Sequence, residues 1–106
     1  MTIPEIDVTE LEPLHRAGAA IVDVRQPDEF DEAHVPGAVL IPLGEVPDRT
    51  AELPAEGTIY LICKRGARSQ RAGDFLAAQG YDVVNVAGGT MAWIDAGFGV
   101  DTGGAG

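Results

Sequence analysis

Cys63 is the one cysteine among 106 residues, and its neighbours are charged. It opens the segment Cys63-Lys64-Arg65-Gly66-Ala67-Arg68-Ser69, directly after the apolar run Thr58-Ile59-Tyr60-Leu61-Ile62. That order reads as a strand, a loop and the start of a helix. The thiol then stands at the carboxyl end of a strand, with backbone N–H groups of the next helix pointing at it. Those N–H groups and the cations Lys64, Arg65 and Arg68 favour the thiolate, the nucleophilic form of cysteine. A free cysteine otherwise packs as a small core hydrophobe. The charged flanks weigh against an apolar pocket here and favour a reactive thiol.

The charge distribution points to the same segment. The chain carries seventeen acidic and seven basic residues, a net charge of −10. Four of the seven, Lys64, Arg65, Arg68 and Arg71, lie within nine positions that hold no acid. An acidic body is a poor match for nucleic acid, whereas one cationic spot on it suits an anionic substrate. Gly66 gives the loop a permissive conformation in its middle, so that several amides can converge on one point. Arg65 and Arg68 are placed to meet an anion through planar, multi-donor contacts, with Lys64 open to face outward.

The elements that must position this loop are legible in outline. Thr9-Glu10-Leu11-Glu12 has the form of a capping box with Thr9 as N-cap, starting a short helix through Arg16 that Gly18 stops. Ala19–Val24 reads as a buried strand, and Pro27-Asp28-Glu29-Phe30 as a first helical turn. Val39-Leu40-Ile41 is a further strand, Gly44–Leu53 a weak helix confined by Pro47, and Thr58–Cys63 the strand before the loop. Ser69–Gln79 has helical spacing and ends at Gly80, Val83–Val86 is a strand, and Thr90–Ala96 a final helix. Apolar strands alternating with helices imply an α/β domain with a largely parallel sheet covered on both faces. Ligands of such sheets bind beyond the carboxyl ends of the strands, where Cys63 is placed.

Composition bounds the rest. The length fits one domain, and a single cysteine excludes an internal disulfide framework and a multi-cysteine metal site. A reducing compartment, no signal peptide at Met1-Thr2-Ile3-Pro4-Glu5 and no apolar stretch of bilayer length make a cytoplasmic protein without membrane contact the expectation. No residue pattern requires a metal or organic cofactor.

Four blocks in order resemble the rhodanese (thiosulfate sulfurtransferase) homology domain of the single-domain type. They are Ile21-Val22-Asp23-Val24-Arg25 with Glu29-Phe30; His34-Val35-Pro36-Gly37-Ala38; the loop Cys63–Ser69; and Val86-Ala87-Gly88-Gly89 with Trp93. The resemblance covers about Ile6 to Phe98, so residues 6–98 are expected to form the domain and 99–106 a flexible tail. It implies the three-layer rhodanese-like fold, with a mostly parallel sheet of about five strands between helices.

The resemblance further implies a sulfurtransferase in which Cys63 takes the outer sulfur of thiosulfate or a related donor. The resulting persulfide passes that sulfur to cyanide or to a small or protein thiol. The amides of Lys64, Arg65, Gly66, Ala67, Arg68 and Ser69 would cradle the anionic sulfur, while Asp23 and Arg25 would brace the loop as a buried pair. His34 is expected in a structural role, bonded to nearby backbone; His15 on a helix surface; Trp93 and Phe75 in the core. Some two-domain members carry a thiosulfate-contacting arginine where this chain has Glu29, which sets thiosulfate at a disadvantage here. With no second domain, a shallow, exposed loop is expected, favouring thiol partners over a tightly held small anion.

Two other readings compete. Cysteine-based phosphatases and arsenate reductases place five residues between cysteine and arginine to surround a tetrahedral oxyanion. Here four residues, Lys64 to Ala67, intervene, and the smaller loop suits one sulfur atom. A non-catalytic interaction or sulfur-carrier module is the other alternative, opposed by the presence of Cys63.

Overall fold

In a computed structural model of the chain, which describes residues 3–105, the first helix is capped by Asp7 rather than by Thr9. The Asp7 carboxylate accepts from the Glu10 N–H and the Glu10 side chain reaches back to the Asp7 N–H, a reciprocal capping box. Thr9 instead donates its hydroxyl to Asp7. The expected motif is therefore present but shifted, because an aspartate upstream satisfies the same orphan amides. Met1, Thr2 and Gly106, which enter the readings of the amino terminus and of the tail, lie outside the described residues.

The chain runs β1 (Glu5–Ile6), α1 (Val8–Arg16), β2 (Ala20–Asp23), α2 (Pro27–Glu32), β3 (Val39–Leu40), β4 (Thr58–Ile62), α3 (Ala67–Ala78), β5 (Asp82–Val86) and α4 (Gly89–Asp95). Two 3₁₀ turns, Leu43–Asp48 and Thr50–Glu52, stand where a weak helix was expected. The five strands form one sheet in the order β1-β5-β4-β2-β3, every pairing parallel. The α/β architecture with a covered parallel sheet is thus observed. β1 is absent from the sequence reading, since two residues carry no periodicity; its pairing with Asn85 and Val86 of β5 defines it.

Alternation along the strands sorts the core into two layers. Ile59 and Leu61 of β4 face one side, with Val22, Val83, Ala72 and Leu76. Ile62 faces the other, with Ile21, Val86, Leu11 and Trp93. Trp93 is buried, as expected, and donates its indole N–H to the Gly99 carbonyl. Phe75 departs from expectation: it is exposed on α3, because the buried positions of that helix are Ser69, Ala72, Gly73 and Leu76. No helix among the described residues is long and apolar enough to cross a membrane.

The segment read as a flexible tail makes defined contacts. Asp101 pairs with His34 in an antiparallel bridge, the Gly103 N–H donates to the Asp31 carbonyl, and the Ala105 N–H to the Asp31 carboxylate. His34 itself is buried, stacked on Phe30 with ring centroids 3.7 Å apart, and bonds the Phe30 carbonyl through Nδ1. His15 is less exposed than a surface helix position implies: its ring meets Trp93 edge-on and Nε2 lies 2.7 Å from the Pro36 carbonyl.

Candidate active site

Central β4 ends at Ile62 with β2 on one side and β5 on the other, so Cys63 emerges where the sheet is most enclosed. The chain must then reverse into α3 within a few residues. Gly66 makes this possible at φ 112°, a conformation that suits glycine, and caps α3 from there. Helix α3 consequently begins at Ala67, two positions ahead of the expected Ser69.

The tight reversal closes the loop around the thiol. The Gly66 N–H donates to Cys63 Sγ at 3.1 Å, and the Ser69 hydroxyl lies 3.3 Å from the same sulfur. Burial pushes the Cys63 thiol up. Bonds from the Ser69 hydroxyl and from the amides of Ser69, Gly66 and Arg65 outweigh it and hold the thiol below its ordinary range. The Ser69 hydroxyl has one proton but three acceptors in reach: Cys63 Sγ, the Gly66 carbonyl and Asn85 Oδ1. It can therefore follow a change of charge on sulfur without leaving its place. Asn85 fixes the floor, donating to the Gly66 carbonyl and to Glu5.

The other wall comes from the start of α4. Thr90 and Met91 donate their amides to the carbonyls of Cys63 and Lys64 at 2.8 and 3.1 Å. This contact requires a bare backbone at Gly89, where a Cβ would come within 2.4 Å of the Cys63 carbonyl oxygen. The loop is exposed at Lys64, Arg65 and Ala67, yet Cys63 is only 1% exposed. The expected shallow loop is corrected here: its rim is open, but the sulfur lies at its base.

Asp23 and Arg25 form a buried ion pair, Arg25 Nε and Nη2 meeting the Asp23 carboxylate at 2.7–3.1 Å. Arg25 also donates to the carbonyls of Glu29 and Ala33, tying the end of β2 to α2. Arg68 differs from expectation. Its two terminal nitrogens bond the two oxygens of Glu29 at 2.7 and 2.8 Å, so its fork is closed onto a carboxylate. The Arg68 guanidinium in turn pulls the Glu29 carboxyl down to about 2. Lys64 and Arg65 have no ion pair among the described residues.

Beside the loop, Glu29, Lys64, Thr90, Met91 and Ile94 line a cleft of about 90 Å³. The Thr90 hydroxyl is buried there without a hydrogen-bond partner among the described residues. Three contributors escaped the sequence reading as site residues: Glu29 as the partner of Arg68, Asn85, and Gly89. The adjacent glycines at 88 and 89 signalled a close backbone approach, and the resemblance had already drawn attention to position 29, though not to its pairing with Arg68.

Comparison with known proteins places these features in company. A family model described as Rhodanese-like domain matches residues 7–96. A thiosulfate sulfurtransferase of Pseudomonas syringae is 33% identical over 85 residues, covering 79% of this chain and 80% of that protein. A Bacillus subtilis relative named as a candidate sulfur carrier protein is 46% identical over 74 residues, or 69% of this chain, which spans only 40% of its length. The crystal structure of a rhodanese-like domain protein from Staphylococcus aureus superposes with a TM-score of 0.86 at 32% identity, covering 96% of this chain and all of that one.

Proposed function

The chain belongs to the rhodanese-like domain family, and we propose that it is a sulfurtransferase that carries sulfane sulfur on Cys63, within a unit formed by residues 6–98. The observation that carries this reading is a single buried thiol held below its ordinary range by a ring of amides from Arg65, Gly66 and Ser69. Such a ring fits one anionic sulfur atom beyond Sγ better than a tetrahedral oxyanion, because four residues leave too small a loop for the latter.

The proposed cycle has two displacements. Cys63 thiolate attacks the outer sulfur of a donor; the Sγ–S bond forms, the donor's sulfur–sulfur bond breaks, and the leaving group departs with that electron pair. With thiosulfate the leaving group is sulfite. An acceptor nucleophile then attacks the persulfide's outer sulfur and Cys63 leaves as thiolate. Cyanide gives thiocyanate; a thiol gives a persulfide. Amides already pointing at the sulfur need no rearrangement as charge moves onto it, the usual source of such stabilisation. Asp23 and Arg25 act as positioning residues in this scheme, holding the strand end next to the loop.

Intact mass of the reduced protein, taken after a donor and again after cyanide, tests the proposal. A gain of one sulfur atom that cyanide removes is expected, and Cys63→Ser should show none. If neither thiosulfate, 3-mercaptopyruvate nor a persulfide-loaded desulfurase produces a gain, sulfur carriage is refuted and a binding module takes its place.

A further inference from the structure

We infer that Asn85 is a positioning residue of the transfer cycle: it holds the Ser69 hydroxyl while Cys63 carries sulfur and yields it to Sγ when the thiolate returns. The inference rests on the sulfur-transfer reading above and adds to it what sets the balance between loaded and empty Cys63.

The first observation is a residue at odds with its strand. β5 runs Asp82-Val83-Val84-Asn85-Val86, and Asn85 within that apolar run is 1% exposed. Asparagine is disfavoured in strands, and a buried amide needs a partner for each polar atom. Such a break in the local pattern is expected where a residue has a task. Alternation puts Asn85 on the face of Val83, toward α3, where Ser69 meets it.

The second is that the amide can be oriented only one way. Its nitrogen position lies between two acceptors, the Glu5 carboxylate at 2.9 Å and the Gly66 carbonyl at 3.2 Å. Nδ2 must face them, so Oδ1 faces Ser69 Oγ, 2.5 Å away. Oδ1 carries no hydrogen, and the serine hydroxyl is therefore the donor of this bond. Cys63 Sγ and the Gly66 carbonyl both stand farther off, at 3.3 Å. With the amide nearest, the hydroxyl rests on Asn85 unless sulfur is charged.

The third is what Sγ becomes during the cycle. In the empty enzyme it is a thiolate, and a bond to a charged acceptor is stronger than one to a neutral amide. The hydroxyl then turns to sulfur. On loading, Sγ becomes the inner atom of an S–S bond, its charge gone to the leaving group, and it accepts weakly. Ser69 is 0% exposed, so its hydroxyl has no water to bond and would be stranded. Asn85 receives it. The proton stays on Oγ throughout; only its acceptor changes, and no oxidant is required. Asn85 thus favours the loaded form against the thiolate, offsetting amides such as that of Gly66 that favour the thiolate. A thiolate held too firmly is a poorer nucleophile.

The test replaces Asn85 by leucine, which has nearly its shape, offers no acceptor and leaves no room for a substituting water. Two quantities are read. One is the pH midpoint for alkylation of the reduced protein by iodoacetamide. The other is the ratio of loaded to empty protein, by intact mass, in a fixed mixture of glutathione persulfide and glutathione above that midpoint. In Asn85→Leu the midpoint should fall by about 0.5 to 1 in pH, and the loaded ratio should fall about three- to tenfold, the worth of one hydrogen bond. In a Ser69→Ala background the same replacement should move neither. A merely structural role predicts the opposite sign, since a loosened Gly66 would withdraw its amide from Sγ and raise the midpoint. The charged groups around the site are the same in every variant: Lys64 and Arg65 in the loop, Arg68 on α3, Glu29 on α2, Asp23 and Arg25 after β2, and Glu5 on β1. If Asn85→Leu does not fold, as judged by circular dichroism, Asn85→Val takes its place with the same expectations. A midpoint that stays or rises, a loaded ratio that does not fall, or shifts that persist without Ser69 overturn the inference and leave sulfur transfer standing. Failure of wild type to load at all overturns both together.

Discussion

The two arginine–carboxylate pairs beside Cys63 use the same groups at nearly the same distances, 2.7 Å in each case, but stand in different media. Asp23 and Arg25 are two residues apart, with side chains 0% and 6% exposed. Glu29 and Arg68 are joined across 39 positions of sequence, with side chains 25% and 33% exposed. Burial decides what each can do. The inner pair cannot open without stranding a charge away from water, so it can only be a brace. The outer pair, partly exposed, can exchange either partner for water at small cost, so it adds little to the fold.

The largest expected effect lies at the inner pair. Asp23→Ala leaves Arg25 buried with only carbonyls for partners, and should destabilise the fold by about 3–5 kcal/mol in urea unfolding. A loss below about 1 kcal/mol would erase the distinction between the pairs. Gly89→Ala should rank next, since its Cβ would press on the Cys63 carbonyl in a left-handed backbone at φ 60°. A loss of about 1–3 kcal/mol, with slower sulfur loading, is expected. Unaltered loading would show that the α4 wall does not hold the loop.

Glu29→Gln should change stability by about 1 kcal/mol or less in urea unfolding, as partly exposed pairs do. The pH dependence sharpens the same point. The Glu29 carboxyl drops from 4.5 when free to about 2 in the fold, so its contribution is complete above pH 4.5 and disappears as pH falls toward 2. The stability difference between wild type and Glu29→Gln should therefore close over that window, provided the fold survives there in denaturant titrations. A difference that persists at pH 2 would assign the effect to something other than the ion pair. Smallest of all, Thr90→Val keeps its shape and removes a buried hydroxyl that has no partner among the described residues. It should be neutral or stabilising by up to about 1 kcal/mol in thermal melts, and a clear loss would mean that the hydroxyl is satisfied in solution.

Much of this molecule was legible along the chain. The strands β2, β4 and β5 are runs of apolar and β-branched residues, and helix α3 follows from Ala72, Leu76 and a terminal Gly80. The segment Cys63–Ser69 identified itself by charge and by one glycine. Errors fell where local pattern is weak or ambiguous. Thr9 and Asp7 are both fit N-caps, and only the backbone path chose between them. Phe75 has the helical spacing of a core residue, but the helix turns it outward beside the 3₁₀ turn at Leu43–Asp48.

The sequence by itself determined the α/β order, the candidate thiol and the cationic loop, because each depends on neighbours a few positions apart. Tertiary structure alone decided how the charges of that loop are spent. Glu29 reaches Arg68 from another helix, Asn85 reaches Gly66 from another strand, and Gly89 lets α4 rest on the loop carbonyls. Whether Arg68 is a free cation or half of a closed pair is a matter of a few ångströms across the sheet's end, and no spacing within the chain encodes that distance.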